Sequence, residues 1–251
     1  MTRCIPLVLA VLLAGCFGGS NPPRTFFSLQ YPVADAAKAY QGPTWPFILR
    51  IKRVDIKLAY DKQEIVYRTS PYEFQYYWFK LWAAKPQKMI AELIADHLTR
   101  AGVVSEVTTK ILERLPDYEL VGEIVAIEEL DADEVWFAHL AMRLTMTRYA
   151  DGQAIWTYAF DQRKRVHERE PVFVVKAMSA LLEEQLRIVT VQVGDKLAEE
   201  AGRLGVAAVP RPVLAPVEST PDTGPGVVAP APQTEQPKPP SDKVPKARLK
   251  R

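Results

Sequence analysis

The chain has 251 residues, of which 48% are hydrophobic and 25% are charged, and its formal net charge is +2. This composition is typical of a globular protein with one core of ordinary size. The near-neutral balance gives no sign of the strongly basic surface that nucleic-acid binding requires. We therefore expect no nucleic-acid partner.

The first sixteen residues have the layout of a secretory signal. The α-amine and Arg3 give a positive start, and an apolar run from Ile5 to Ala14 follows. That run is far shorter than the roughly 20 residues needed to cross a bilayer. Leu13-Ala14-Gly15-Cys16 resembles a bacterial lipobox, which implies a signal peptide over residues 1–15 and acyl chains on Cys16 as the membrane anchor. No free thiol then remains for a nucleophile, a metal site or a redox pair.

The residues after Cys16 predict the destination of the anchor. Residues 16–23 form a short tether without acidic residues. In lipoproteins of this type an Asp directly after the cysteine retains the protein in the inner membrane, and Phe17 stands there instead. In a double-membraned bacterium the sequence therefore predicts an outer-membrane protein that faces the periplasm.

The other end of the chain differs in composition from the predicted domain. Residues 207–251 contain eleven of the 21 prolines, no aromatic residue and a basic cluster at Lys243–Arg251. Such a segment cannot bury enough apolar surface to offset the entropy of ordering it. We expect a disordered, partly polyproline II tail, and one folded domain over residues 24–206.

The domain contains a clear order of predicted elements. Alternation and β-branched or aromatic content predict strands at Phe26–Tyr31, Phe47–Ile56, Ile65–Ser70, Tyr72–Trp82, Val103–Thr108, Tyr118–Leu130, Glu134–Tyr149 and Gln153–Val166. Helices begin at Pro86 and Pro171, and apolar residues recur at helical spacing until Gly102 and Leu204. This order predicts an α+β two-layer sandwich, with a largely antiparallel sheet and both helices on one face.

Candidate chemical groups do not form a recognisable constellation. His97 lies on the apolar side of the first helix, His139 on the predicted wet face of the sheet and His167 in a charged run that reads as a solvated edge. Acidic residues crowd one hairpin connection, either as a Ca²⁺ site or as a solvated turn, and they lack the EF-hand spacing: Glu128, Glu129, Asp131, Asp133 and Glu134. Nucleophile-elbow, phosphate-loop and zinc-protease motifs are missing. We predict no catalytic residue, no metal and no cofactor.

One segment is unusually aromatic. Seven of the eleven residues from Tyr72 to Trp82 are aromatic, and four of them are consecutive. Because neighbouring strand residues point to opposite faces, some of these rings must point away from the core. Tyr and Trp are enriched at binding hot spots, although core packing on an edge strand would explain part of the pattern. The candidate contact residues are Arg68, Tyr72, Tyr76, Tyr77, Trp78 and Trp82.

The same region carries a family resemblance. Ile65-Val66-Tyr67-Arg68-Thr69-Ser70-Pro71-Tyr72-Glu73, then Trp82–Pro86 before a helix that closes on Ala101–Val103, looks like the auxiliary lipoproteins of MCE-type ABC transporters, the PqiC type. Phe27-Ser28-Leu29 matches the opening strand of that family, with Phe where Tyr is usual. The resemblance is specific from Ile65 to Val103, and elsewhere only the order of elements agrees.

That resemblance implies a non-enzymatic part of a machine that moves phospholipids or related lipids across the periplasm. The implied partners are an MCE-domain protein and an inner-membrane ABC permease and ATPase, and identical subunits could form a ring. Two other classes stay open. One is an outer-membrane assembly or cell-wall tethering lipoprotein whose basic tail touches peptidoglycan, and the other is a lipid-anchored hydrolase.

Overall fold

The computed structural model describes residues 22–38, 40–110, 114–132 and 135–211. The predicted signal peptide, the anchor residue Cys16 and residues 212–251 of the predicted tail lie outside these ranges. Among the described residues, none of the helices combines the length and apolar character of a transmembrane span.

Eight strands, two long helices and one short helix make up the described part of the chain. The strands are β1 (Thr25–Phe27), β2 (Trp45–Ile56), β3 (Glu64–Ser70), β4 (Glu73–Trp82), β5 (Val104–Thr108), β6 (Tyr118–Ala132), β7 (Val135–Arg148) and β8 (Ala154–Val166). The helices are α1 (Val33–Ala37), α2 (Pro86–Ala101) and α3 (Pro171–Leu204), and a 3₁₀ turn spans Leu58–Tyr60. The predicted helix starts at Pro86 and Pro171 are confirmed, and so is the end of α3 at Leu204. Gly102 and Gly205, both at φ 65°, follow the two long helices.

Strand β6 is the centre of the sheet. One of its edges pairs with β7, which pairs with β8, and both pairings are antiparallel. Its other edge is divided between two parallel partners, β2 along the first half and β3 along a short stretch near the end. Beyond β2 lies β5, and beyond β3 lie β4 and then β1. The antiparallel ladders contain most of the paired residues, which confirms the predicted fold class.

The hydrophobic core lies between this sheet and the two long helices. Alternate residues of β7 are almost fully buried on the face that α3 covers: Ala138, Leu140, Met142, Leu144 and Met146. The stripe predicted on the last helix supplies the opposing side chains, including Met178, Leu182, Leu186, Val189, Val193 and Leu197. Both helices contact β2, and they also contact each other. We call this face of the sheet the helix face.

An irregularity in β6 changes which side chains reach each face. Ile124 pairs with Met142 and Ala126 with Ala141, so Val125 is an extra residue between them. A β-bulge of this kind shifts the alternation by one position. Downstream of the bulge Glu128 lies on the face opposite the helices, whereas Glu129 lies on the helix face.

The ordered domain extends beyond its predicted end at residue 206. Val209 forms an isolated antiparallel bridge with Thr44. The Arg211 guanidinium donates hydrogen bonds to the backbone oxygens of Tyr40 and Gly42, at 3.2 and 3.0 Å. The first residues assigned to the tail are therefore part of the fold, because their backbone and one cationic side chain find partners that composition does not reveal.

Two glycines of α3 give a matched test of this packing. A Cβ at Gly194 would lie 2.5 Å from Cε2 of Tyr40, whereas a Cβ at Gly202 would meet nothing within 4 Å. We expect Gly194→Ala to lower the free energy of unfolding by about 1–3 kcal/mol, because the Tyr40 ring must move. Gly202→Ala should be neutral or stabilising by up to about 1 kcal/mol, because alanine favours helices.

Urea unfolding of the full chain, followed by circular dichroism, measures both changes. Equal stability of the two variants would contradict the contact between α3 and Tyr40.

Candidate functional site

Burial divides the candidate contact residues into three groups. Trp82 is 1% exposed and belongs to the core. Arg68, Tyr76 and Tyr77 are partly buried, whereas the side chains of Tyr72 and Trp78 are 92% and 83% exposed. All six residues lie on β3, β4 or the turn between them, which we call the aromatic hairpin (Glu64–Trp82). The structure brings them onto one element but does not place them on one surface.

The pairing of β3 with β4 explains why adjacent aromatic residues point in different directions. Glu64 lies opposite Leu81, and Val66 lies opposite Tyr76. Over this stretch β4 has more residues than β3, so the strand is irregular between Tyr77 and Lys80. Regular alternation is lost there, which leaves the Trp78 indole in solvent while Trp82 is in the core.

On the face opposite the helices, Glu128 is the centre of a buried network. The Tyr60 hydroxyl donates to Oε2 at 2.6 Å. The Arg68 guanidinium donates to Oε1 at 2.7 Å, and Nδ1 of His139 lies 2.8 Å from the same oxygen. Burial alone raises the pKa of Glu128, but hydrogen bonds from His139 and Tyr60 and the charge of Arg68 outweigh it, so the pKa lies below its ordinary value.

His139 extends this network to β8. Its Nε2 lies 2.8 Å from Oδ1 of Asp161, so each ring nitrogen faces a carboxylate oxygen. The sequence placed His139 on a wet face. The expected solvent exposure is wrong, because His139 is only 4% exposed and its two ring nitrogens contact Glu128 and Asp161.

Glu129 forms the corresponding contact on the helix face. The Tyr77 hydroxyl donates to its Oε1 at 2.9 Å. The Tyr77 ring stacks on that of Tyr67 with 4.4 Å between centroids, and Lys80 Nζ lies 4.4 Å from the Tyr77 centroid. Burial raises the pKa of Glu129 to about 7, although the Tyr77 hydrogen bond opposes this shift. Within the described residues the other carboxylate oxygen, Oε2, has no hydrogen-bond partner.

These two carboxylates correct the prediction of an acidic hairpin connection. Glu128 and Glu129 lie within β6 and are fully buried, so they do not belong to a solvated turn. Asp133 and Glu134 lie outside the described residues. In the part of the chain that the structure covers, no group of three or more His, Cys, Asp or Glu side chains is arranged to hold a metal ion.

The other two histidines are far from this network in the fold. His97 is buried on α2, where its Nδ1 lies 3.0 Å from the Tyr31 hydroxyl, and burial lowers its pKa to about 4. His167 is exposed after β8. Across the described ranges, no serine or threonine hydroxyl is hydrogen-bonded to any histidine.

The aromatic hairpin contains an open groove with a volume of about 470 Å³. Its lining combines three aromatic rings with two opposite charges and one amide: Tyr67, Tyr76, Trp78, Lys62, Glu64 and Gln75. Two of the rings are held in place, since Tyr67 stacks on Tyr77 and the Tyr76 hydroxyl donates to the backbone oxygen of Ala59 at 3.3 Å. We call this feature the aromatic groove.

The fold and the hairpin together define an α+β two-layer domain with solvent-exposed aromatic side chains on one hairpin. The family described as "ABC-type transport auxiliary lipoprotein component" matches residues 27–189. The chain therefore belongs to this family of lipoproteins that act with ABC-type transporters, and the resemblance seen in the sequence is confirmed.

Solved structures show the same fold. Protein XCC0632 from Xanthomonas campestris is 15% identical, with a TM-score of 0.61 over 71% of this chain and 99% of that one. A crystal structure of an uncharacterized protein is 13% identical, with a TM-score of 0.54 over 68% of this chain and 99% of that one. Comparison with curated proteins finds no match. At these identities the likeness shows the fold alone.

Sequence reasoning missed most of the groups that hold the hairpin. Tyr60 and Asp161 gave no signal, and Lys62, Glu64 and Gln75 read as ordinary surface residues. Glu128 and Glu129 did give one, because two adjacent acids inside a long apolar strand must place one carboxylate on each face. A buried carboxylate on each face requires donors there, and the tyrosines and arginine of the hairpin are the donors that the sequence offers.

The raised pKa of Glu129 predicts a pH dependence of stability. The pKa of Glu129 is 4.5 in its ordinary state and about 7 in the folded state. Between these two pH values the folded state binds a proton that the unfolded state releases, so the free energy of unfolding falls as the pH rises. Glu129→Gln should remove this loss. We expect its free energy of unfolding to exceed that of the parent chain by on the order of 1–3 kcal/mol at pH 8, with no gain at pH 4.

Urea unfolding at both pH values measures the difference, and Glu123→Gln is the control. Glu123 lies on the same strand with a side chain that is 42% exposed. If the stability of Glu129→Gln equalled that of the parent chain at both pH values, the buried environment assigned to Glu129 would be contradicted.

Proposed function

We propose that the chain is the outer-membrane lipoprotein of an MCE-type ABC transporter that moves phospholipids or related lipids between the inner and outer membranes. Its membership of the ABC-transport auxiliary family supports a transport role. Its resemblance to the PqiC type, on the residues of the aromatic hairpin and α2, supports the MCE system in particular. In this proposal the chain works by binding an MCE-domain protein in the periplasm, and it performs no chemical step.

The exposure of Tyr72 is the observation that carries a binding role. A tyrosine that is 92% exposed contributes nothing to the core, yet its backbone is fixed. The Ser70 hydroxyl oxygen accepts a hydrogen bond from the Tyr72 amide, and Arg68 donates one to the backbone oxygen of Pro71, both at 3.3 Å. A rigid aromatic anchor costs little conformational entropy on binding, which suits a hot spot for a protein partner.

The remaining candidate contact residues attach the aromatic hairpin to the rest of the domain. Arg68 is paired with Glu128, and its guanidinium lies 5.0 Å from the Phe74 ring centroid. Tyr77 binds Glu129, and Trp82 fills the core. We therefore assign direct partner contact to Tyr72 and Trp78, and a positioning role to the others. The partner is the MCE-domain protein or an identical subunit of a ring.

The pairing of β1 fixes the point at which the proposed tether would join the domain. Thr25 pairs with Lys80 in a parallel ladder, so the chain enters the sheet beside Trp78 and the tether approaches from the side of the hairpin turn. Eight residues lie between Cys16 and Thr25, and this length of chain spans at most about 30 Å. Acyl chains on Cys16 would hold the aromatic hairpin within that distance of the membrane.

The anchor can be tested by Cys16→Ala. We expect the variant to lose its acyl chains and to move from the outer-membrane fraction to the soluble periplasmic fraction. Three acyl chains would make the attachment effectively permanent, whereas a single chain gives only marginal binding. Intact-mass analysis and membrane fractionation in a double-membraned bacterium measure the two effects. The control is Cys4→Ala, which lies within the predicted signal peptide and should leave both unchanged. Membrane retention of Cys16→Ala would contradict the anchor.

The partner contact can be tested by Tyr72→Ala. We expect this variant to capture at least tenfold less of the co-expressed MCE-domain protein, with unchanged thermal unfolding, because a hot-spot aromatic contributes on the order of 2 kcal/mol. Leu115→Ala is the matched control. Its side chain is 62% exposed and precedes β6, away from the aromatic hairpin.

Quantitative affinity capture from solubilised envelopes measures the effect. Undiminished capture and an unchanged oligomeric state of the Tyr72→Ala variant would contradict the proposed surface. Equal losses in both variants would also contradict it.

A further inference from the structure

We propose that the aromatic groove binds the headgroup of a zwitterionic phospholipid, one that carries both a phosphate and an ammonium group. This inference deepens the proposed function, because it names the class of lipid that the domain recognises and the residues that recognise it. The groove volume of about 470 Å³ falls in the range of small-molecule sites, about 300–1,000 Å³.

The charges of the groove match the two charges of such a headgroup. Lys62 and Glu64 both line it. Neither side chain forms an ion pair with any other described residue, so both charges are available to a ligand. The Lys62 ammonium would bind the phosphate, and the Glu64 carboxylate would bind the ligand ammonium. A purely anionic ligand would be attracted by Lys62 but repelled by Glu64.

The aromatic rings favour the ammonium end of the ligand. Faces of Trp and Tyr attract organic cations, and several rings around one site are the usual means of recognising ammonium groups. Tyr67 is already fixed by its stacking on Tyr77, on the hairpin face that it shares with Gln75. The Trp78 side chain is 83% exposed and can cover a bound headgroup without moving any core residue. Pre-organised walls reduce the entropy lost on binding.

The position of the groove suits a ligand that comes from a membrane. The chain enters β1 beside Lys80, two residues after Trp78 in β4. If Cys16 is the anchor, the tether would keep Thr25 within about 30 Å of the lipid surface to which the domain is attached. A headgroup could then be bound while its acyl chains remain in the bilayer or in a partner protein.

Binding can be measured on the full chain with soluble headgroups. We expect phosphoethanolamine and phosphocholine to bind in isothermal titration calorimetry with a Kd on the order of 1 mM. Inorganic phosphate and choline alone should bind at least tenfold more weakly, because each satisfies only one of the two charges.

Variants of the lining residues separate the contributions. Trp78→Ala should weaken both zwitterions about tenfold, and Trp78→Phe should retain most of the affinity. Lys62→Ala should reduce the preference for the zwitterions over choline, because the phosphate loses its cation. Glu64→Gln should reduce the preference for the zwitterions over inorganic phosphate, because the ligand ammonium loses its carboxylate. Leu58→Ala is the control, since Leu58 is 84% exposed and does not line the groove. It should leave the affinity unchanged.

Three results would overturn the inference. The first is the absence of saturable binding of either zwitterion up to 20-fold above the expected Kd of roughly 1 mM. The second is phosphate binding as tightly as phosphoethanolamine, and the third is an equal loss of affinity in Trp78→Ala and Leu58→Ala. The titration uses no transporter component. A negative result therefore leaves the capture of the MCE-domain protein standing, and failure of that capture leaves a positive titration standing.

Discussion

Two consecutive buried carboxylates hold the aromatic hairpin on the sheet, and the proposed function depends on them. Among the residues that the structure describes, strand β3 pairs with β6 at two positions, Tyr67 with Glu129 and Arg68 with Leu130. A ladder this short contributes few hydrogen bonds. Glu128 adds bonds to Arg68 and Tyr60 on one face, and Glu129 adds a bond to Tyr77 on the other. The hairpin is therefore clamped on both sides of the sheet, next to the buried side chains of Ile65, Val66 and Trp82.

Burying the Glu129 carboxylate in this clamp costs free energy, which suggests that the clamp is kept for function. Glu129 is buried with one carboxylate oxygen unpartnered and a pKa raised to about 7, which stabilises the fold less than an apolar residue of the same size would. In return the hairpin has a fixed orientation, and its exposed rings do not collapse onto the core. Rigid presentation of aromatic side chains is what a binding surface requires. The two proposals, a protein partner at Tyr72 and a phospholipid headgroup in the aromatic groove, both depend on that rigidity.

The sequence predicted the architecture well where periodicity was strong. Alternation in β7 and the apolar stripe of α3 are direct consequences of one buried face, and Pro86, Pro171 and Gly102 mark helix ends by backbone preference. Prediction failed where one residue changes the register. The bulge at Val125 exchanges the faces on which Glu128 and Glu129 lie, and no local pattern reveals a bulge. The short tail segment at Val209–Arg211 was missed because its partners, Thr44, Tyr40 and Gly42, are distant in the sequence.

The candidate site was predicted as a segment but not as a surface. The density of aromatic residues indicated the right hairpin. It did not distinguish the core residue Trp82 from the exposed Trp78, because that difference arises from the irregular pairing of β3 with β4. The groove residues Lys62, Glu64 and Gln75 have no distinctive spacing. They form a site only because the hairpin is folded and fixed against β6.

Amide hydrogen exchange of the Glu128→Ala variant tests the clamp most directly. Loss of the carboxylate leaves Arg68 and His139 without their buried partner, so exchange over Glu64–Trp82 should rise at least tenfold. Exchange over the remote part of the β7–β8 ladder, Thr145–Tyr158, should stay at its original rate, as should exchange throughout the exposed control Glu123→Ala. Unchanged protection of the hairpin, or an equal rise across the whole sheet, would contradict the claim that Glu128 holds the aromatic hairpin in place.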